Sequence, residues 1–351
     1  MIVRTLKLKL NKKQESILNG WLWNLTSIYN WAIKKIGYNA QNKIYFSQKQ
    51  FQNLLAGHSE KMEIPSHVMQ GMLTQAYNSW QRCFKKIAKK PRLKGQRNKL
   101  NSIPFPDPIK PPKDNKIGLL GLGKVRYYKQ EIPEAKIKCG RIVKRASGWY
   151  LCLWLDTEHK FPVHITKEAV GIDPGFDTLL TLSDGTKIEN PRELHKGAKR
   201  LAQAQRAHNK NLTARLQERQ ANRRRDRNHK ISRMLVENYA AIYYSNDNFK
   251  GMARKFGKSV FEAGINQLIG MTTYKGRIGG RKIKPINSFR TTMTCSNCGS
   301  LTGPTGLDML AVRHWECSVC GAHHDRDINS AMVVLNAGLG ISHERGICQV
   351  A

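Results

Sequence analysis

Four cysteines carry the sharpest chemical signal in the chain. Cys295 and Cys298 form one CxxC pair and Cys317 and Cys320 a second, with 18 residues between the pairs and a glycine (Gly299, Gly321) after each. A CxxC turn aims two thiolates at one point, and two such turns complete a tetrahedral zinc shell. Four thiolates leave no open coordination position, so structural Zn2+ is expected, its binding energy acting as folding energy for a segment with little core. Two disulfides or a redox pair are the competing readings of this spacing. Directly behind the second pair comes His324-Asp325-Arg326-Asp327-Ile328-Asn329-Ser330-Ala331, where a lone aspartate at a helix start would ordinarily be an N-cap. A further acid, Asp173, ends the apolar run Ala169-Val170-Gly171-Ile172 ahead of a Pro174-Gly175 turn.

The elements that must position these residues follow from periodicity. Leu6, Leu8 and Leu10 alternate with Lys7 and Lys9 as in a half-buried strand. From about Lys12 to Lys90 the pattern is helical, with Leu18, Trp21, Leu22, Leu25, Ile28 and Tyr29, then Val68, Met72, Ala76 and Trp80, at spacings of three and four. The tryptophans read as core rather than as stacking platforms. Pro104 to Pro112 reads as a connector, followed by short strands at Ile117–Leu122, Val125–Tyr128, Ala135–Ile142 and Trp149–Leu155, a pattern of a small barrel or sandwich. Strands are then expected at 169–173, 178–182 and 186–188, the last two joined by the Asp184-Gly185 turn. A polar helical hairpin over 190–237 breaks near Lys210-Asn211, and a buried strand at Ala240–Tyr244 and a helix at Phe261–Met271 follow.

Composition restricts the function. Sixty Lys and Arg face 25 Asp and Glu, a net charge of +35, which internal ion pairs cannot neutralise, so a polyanion, and nucleic acid before a membrane surface, is the expected partner. No run approaches the ~18 apolar residues of a spanning helix, and no signal peptide is visible. Eight cysteines in 351 residues do not make a secreted disulfide scaffold. Cys83, Cys139, Cys152 and Cys348 read as small buried residues in a reducing cytoplasm. The basic stretch 85–99, broken by Pro91 and Gly95, offers Lys89, Lys90, Arg92, Lys94 and Arg97 to phosphates, and Arg223, Arg224 and Arg225 do so from the helical hairpin; an ordinary solvated charge run is the alternative.

Taken in order, KLNKKQESILNGWLWNLTSIYNWAI, KKPRLKGQR, VGIDPGFDTLLTLSDGTKIENPR, HKISRMLVENYAAIYYSNDNFKGM, TTMTCSNCG and WECSVCGAHHDRDINSA resemble the TnpB family, transposon-encoded RNA-guided nucleases related to type V CRISPR effectors. The resemblance spans nearly the whole chain. It implies an α/β multidomain protein: a RuvC-like (RNase H-type) core with an inserted zinc ribbon, a small β-barrel (wedge) and an α-helical recognition domain. The implied boundaries are 1–11 for the first barrel strand, 12–100 for the recognition domain and 101–166 for the rest of the barrel. The RuvC-like core takes 167–288 and 323–337 around a ribbon at 289–322, with a flexible tail at 338–351.

In that family, acids from three motifs hold two Mg2+ ions that activate water and stabilise the leaving oxygen. The resemblance assigns the first to Asp173 and the third to Asp327. The second, a glutamate at the end of the strand before Asn248-Phe249-Lys250-Gly251-Met252, falls on Ser245. A hydroxyl cannot supply the missing charge, so Mg2+ binding is expected to be weak or absent and the chain is read as most like the nuclease-dead repressor (TldR-type) members. Two routes would restore a third acid: Asp247, about 6–7 Å further along if the strand continues, and Glu237 or Glu262 swinging in from a helix. The implied partners are a guide RNA and duplex DNA with a short adjacent motif, one protein per RNA, in a bacterial cytoplasm at the nucleoid. The rivals are an active nuclease with a relocated acid and a guide-independent basic zinc-ribbon protein.

Overall fold

The computed structural model describes residues 1–96, 98–157, 167–306, 309 and 311–341. Arg97, Cys348 and the tail from residue 342 lie outside the described residues. The chain divides into two compact units, 1–159 and 160–351. Among the described residues, no helix is long and apolar enough to cross a membrane.

In the first unit, β1 (Ile2–Lys9) is followed by α1 (Lys12–Gln41), α2 (Gln48–Asn53) and α3 (Ser66–Phe84), then β2 (Ser102–Phe105), β3 (Lys116–Leu119), β4 (Gly123–Tyr127), β5 (Lys136–Arg145) and β6 (Gly148–Asp156). Asn11 opens α1 with a capping box, its side chain accepting from the Gln14 amide at 2.7 Å while the Gln14 side chain accepts from the Asn11 amide at 3.3 Å. Leu18, Trp21, Leu25, Ile28 and Ile33 of α1 and Val68, Met72 and Trp80 of α3 are buried in one apolar cluster with the inward residues of the strands. Trp31 departs from the expected core role, being 36% exposed and stacked on Phe51 at 5.8 Å. The six strands form one antiparallel sheet in the order β2-β5-β6-β1-β4-β3, and among the described residues no pairing joins β2 to β3, so the expected barrel is an open sheet by its hydrogen bonds. The proline-rich connector is also corrected: Pro104 lies within β2, opposite Arg141, an edge position where a missing N–H costs no ladder bond.

The second unit runs β7 (Lys167–Pro174), β8 (Thr178–Leu182), β9 (Lys187–Glu189), α4 (Glu193–Arg206), α5 (Lys210–Asn238), β10 (Tyr239–Ser245), α6 (Phe249–Ala263), α7 (Ile265–Ile278), β11 (Lys282–Ile286), β12 (His314–Glu316), β13 (His323–Asp325) and α8 (Arg326–Leu339). The first five strands make one sheet, β11-β10-β7-β8-β9, in which β7, β8 and β9 form an antiparallel meander and β10 and β11 run parallel to β7. Two helical crossovers, α4–α5 and α6–α7, provide those parallel connections. The expected helix at Phe261–Met271 is two helices, because Gly264 at φ 61 breaks the chain between them. Helix α8 extends to Leu339, two residues into the stretch read as tail. It lies directly on the sheet because two positions lack a side chain. A Cβ on Gly171 of β7 would stand 2.0 Å from the Ala331 carbonyl oxygen, and one on Gly338 of α8 would stand 2.2 Å from the Tyr243 ring.

Candidate functional site

The cysteine group follows β11 in the chain and ends just ahead of α8. The Sγ atoms of Cys295, Cys298, Cys317 and Cys320 all lie within 4.8 Å of one another, with Cys295–Cys320 at 3.8 Å and Cys298–Cys317 at 3.6 Å. Zn–S bonds of about 2.3 Å set the edge of a sulfur tetrahedron at about 3.8 Å, so the four thiols fit zinc. Each knuckle is closed by a turn, Gly299 N–H donating to the Cys295 carbonyl at 2.9 Å and Gly321 N–H to the Cys317 carbonyl at 2.8 Å. Around the sulfurs stand groups that the spacing did not announce: the Ser300 and Thr302 hydroxyls, each 3.2 Å from Cys317 Sγ, and His324 Nε2, 3.0 Å from Cys295 Sγ. Burial pushes the Cys317 thiol up, but the Ser300 and Thr302 hydroxyls and the Cys320 and Val319 amides outweigh it and hold the group well below the usual thiol range. At Cys295 burial acts in the same direction and prevails, pushing that thiol up to about 12. The donors around Cys317 favour its thiolate, the form that binds zinc.

The ribbon is fastened to α8. Asn329 accepts from the Ser296 amide at 2.8 Å and donates to the Thr294 carbonyl at 2.7 Å, and Asn336 donates to the Ser296 carbonyl at 3.2 Å. The same helix carries Asp327 in its first turn. The cap itself is Asp325, whose side chain accepts from the amides of Asp327 and Ile328, each at 3.1 Å. The capping role open to Asp327 therefore belongs to Asp325, and the Asp327 carboxylate is left to face Arg313 at 3.4 Å.

Parallel pairing brings the other two assigned positions together. β7 and β10 run side by side with Ile172 opposite Tyr244, so Asp173 and Ser245 end adjacent strands at the same edge of the sheet. Ser245 is fully buried, and its Oγ lies 3.5 Å from Asp173 Oδ1. Strand β10 stops at Ser245, which corrects the expected placement of Asp247: the chain turns, and Asp247 Oδ2 comes back to accept from Ser245 Oγ at 2.6 Å. Burial, with Asp247 and Asp327 beside it, pushes Asp173 up to about 8, and the Ser330 and Ser245 hydroxyls offset only part of this. Ser330, fully buried, stands beside Asp173. Glu237 pairs with Arg233 at 2.7 Å, one helical turn back on α5, and the buried Glu262 receives His195 Nδ1 at 3.0 Å, so neither joins this cluster.

Among the described residues, the cysteine group is the one place where three or more metal-binding donors converge within 4.8 Å. In the acid group, the Ser245 hydroxyl stands between Asp173, 3.5 Å away, and Asp247, 2.6 Å away.

The basic candidates fall into two kinds. Lys89, Lys90 and Arg92 are exposed, and their loop is clamped to α1 by Asn30, which accepts from the Lys94 amide at 2.7 Å and donates to its carbonyl at 2.8 Å. Lys94 itself is half-buried, with its Nζ 3.3 Å from Asn98 Oδ1. On α5, Arg223 bonds Glu193 at 2.7 Å and Arg224 stacks 4.2 Å from the Phe261 ring, while Arg225, like Arg223, is exposed.

Two family models match the chain, "Probable transposase" over 153–255 and "Cas12f1-like, TNB domain" over 266–334. A "Putative RNA-guided DNA endonuclease" of Streptomyces pristinaespiralis is 35% identical over 213 residues, 56% of this chain and 52% of the relative. The "Putative RNA-guided DNA endonuclease InsQ" of Escherichia coli (strain K12) is 26% identical over 304 residues, 78% of this chain and 75% of the relative. "TnpB-like protein L79" of Acanthamoeba polyphaga mimivirus is 26% identical over 51% of this chain and 39% of its own length. The chain thus spans about half the length, or less, of the first and third of these relatives. A solved Cas12f1–sgRNA–target DNA complex overlaps 96% of this chain and 100% of its own at 17% identity and a TM-score of 0.36, too loose to support anything further. On the two matching domains and these relatives, the chain is a member of the TnpB family.

Proposed function

We propose that this chain is an RNA-guided DNA-binding protein that occupies its target without cutting it and so represses transcription. In this reading 167–288 and 323–337 are a RuvC-like, RNase H-type core, 289–322 its zinc ribbon, 12–100 a recognition domain, and 1–11 with 101–166 a wedge. The five-strand order of the second unit (third, second, first, fourth, fifth), with only the fourth and fifth strands parallel to the first, supports the RNase H-type reading. The guide RNA and the DNA partner rest on the likeness to relatives named as RNA-guided DNA endonucleases, together with the net charge of +35. Pairing would read the sequence, and the protein would hold the heteroduplex by its backbone.

The observation that carries the inactive reading is Ser245, a buried neutral hydroxyl beside Asp173 at the edge where parallel strands end. A cation already stands over the other assigned acid, Arg313 facing Asp327. Loss of one member of a cooperating catalytic set commonly costs several orders of magnitude in rate. A second reading has its own observation: Asp247, folded back to 2.6 Å from Ser245 Oγ, places a third carboxylate close to Asp173, and a shift of that turn would complete an acid triad in an active nuclease.

The test is to purify the protein from cells carrying its neighbouring DNA, sequence the bound RNA, and offer matching duplex with Mg2+ or Mn2+. Guide-dependent binding with intact DNA is the expected result. Cutting that disappears in both Asp173→Ala and Asp247→Asn would establish the second reading. Recovery of no defined RNA would leave a guide-independent zinc-ribbon protein.

A further inference from the structure

The helical part of the first unit holds a small aromatic cleft that the acid cluster and the zinc centre leave unexplained. Its volume is about 110 Å³, and its walls include Tyr45, Phe46, Phe51, Tyr77 and Phe84, from the loop after α1, from α2 and from the end of α3. It approaches the ~150 Å³ cavity that admits one benzene ring. Three observations together say what would fill it. Tyr45 is 71% and Phe84 42% exposed, although Phe84 already stacks on the buried Trp80 at 5.2 Å, so flat apolar faces are presented to solvent. Asn39 also lines the cleft, is buried, and has an Nδ2 with no hydrogen-bond partner, a donor left unmet inside an apolar wall. The chain leaving Phe84 is the exposed cationic run Lys85, Lys86, Lys89 and Lys90, and Lys90 folds back to 5.9 Å over the Trp80 ring. A ligand matching all three has a planar aromatic face, an acceptor on its edge and a negative charge nearby. An apolar protein segment offers carbonyl acceptors but not the anion.

We propose that this cleft captures one unpaired nucleobase of a single-stranded nucleic acid, stacked on Tyr45 and Phe84 and accepting from Asn39 Nδ2, with its phosphates on the lysines that follow α3. Every base carries a π-face and an edge acceptor, so the capture is tolerant of sequence. The inference deepens the guided-binding reading, on which it rests, since it supplies a contact for a splayed-out nucleotide where that reading supplies only backbone contacts.

The full-length protein is mixed with single-stranded oligonucleotides carrying one 4-thiouridine in RNA or one 4-thiothymidine in DNA, irradiated, and the crosslinked peptides are mapped. A crosslink to Tyr45 or Phe84 is expected with a single strand and not with the same label in a duplex, and the strand that crosslinks identifies whether RNA or DNA supplies the base. In parallel, Tyr45→Leu, Phe84→Leu and Asn39→Leu are titrated with fluorescein-labelled oligonucleotides across a salt series. Stacking of one base predicts binding weakened about tenfold for each ring removed, with the slope against salt unchanged because the lysines still hold the phosphates. Phe84→Tyr is expected to bind like the natural protein, and melting curves confirm that the exposed-ring variants fold. Crosslinks elsewhere with affinities within about twofold of the natural protein would overturn the inference while leaving guide-dependent DNA binding intact. Wild-type protein that binds no matched DNA but still crosslinks at Tyr45 or Phe84 would instead overturn the guided reading and keep this one.

Discussion

At the residue scale, the chemistry turns on one hydroxyl among carboxylates. Ser245→Glu inserts a charged side chain at a fully buried position between Asp173 and Asp247. Without a cation, an unpaired buried carboxylate costs about 3–5 kcal/mol, so the variant is expected to melt several degrees lower in EDTA and to regain that loss in Mg2+, while the natural protein shifts little. Scanning fluorimetry with and without Mg2+ reads this directly, and a variant indifferent to Mg2+ would show that the edge holds no metal even with its acid returned. Asp184 offers a pH test. Burial pushes its carboxyl up, but Lys167, Thr186 and Tyr239 donate to it and hold it well below the usual carboxylate range. A depressed folded-state pKa gives stability that is fully present above the ordinary carboxylate value near ~4 and is lost as pH falls towards the folded value. Urea midpoints of the natural protein and Asp184→Asn should therefore differ at pH 7 and draw progressively together as the pH falls below ~4. The Asp-Gly turn was legible in the sequence; the partners that fix its charge, Lys167 and Tyr239, come from two other strands and were not.

At the scale of elements, the ribbon and α8 act as one piece. Asn329 and Asn336 of α8 hold the first cysteine knuckle, and α8 in turn holds Asp327 against the sheet. Cys317→Ser is expected to abolish binding of one zinc per chain, measured by mass spectrometry of the metal, and to loosen α8 together with the ribbon. Hydrogen exchange should rise over 293–336, and unchanged protection of α8 would separate the two elements. Structural zinc contributes of order 10 kcal/mol to such a segment, so the change is large. Gly171 ties α8 to the sheet from the other side. An added Cβ would meet the backbone of α8 rather than a movable side chain, so Gly171→Ala is expected to lower stability by about 3 kcal/mol in urea titration, at the upper end of overpacking costs. The four cysteines declared the knuckle through spacing alone, whereas the asparagine clamps could be found only as two unremarkable amides on a helix.

For the whole molecule, a net charge of +35 over 351 residues makes salt the controlling variable. Replacing Lys89, Lys90 and Arg92 together by Gln should weaken binding to the matched DNA and flatten the plot of log affinity against log salt by roughly one for each phosphate left without its cation. Arg225→Gln should flatten it as well, and Arg223→Gln less, because the Glu193 partner of Arg223 already takes part of its charge; equal effects would show that this pair opens on binding. By itself the sequence determined the strong positive charge, the paired spacing of the four cysteines, the period of each long helix and the absence of a glutamate at 245, because each is a property of composition or of residues close along the chain. Only the tertiary structure decided that Pro104 sits in an edge strand, that Asp325 rather than Asp327 caps α8, and that Asp247 folds back onto Ser245. Those outcomes depend on where strands end and which helix lies on which strand. Such neighbours join residues as distant as 173 and 327, and local spacing carries no record of them.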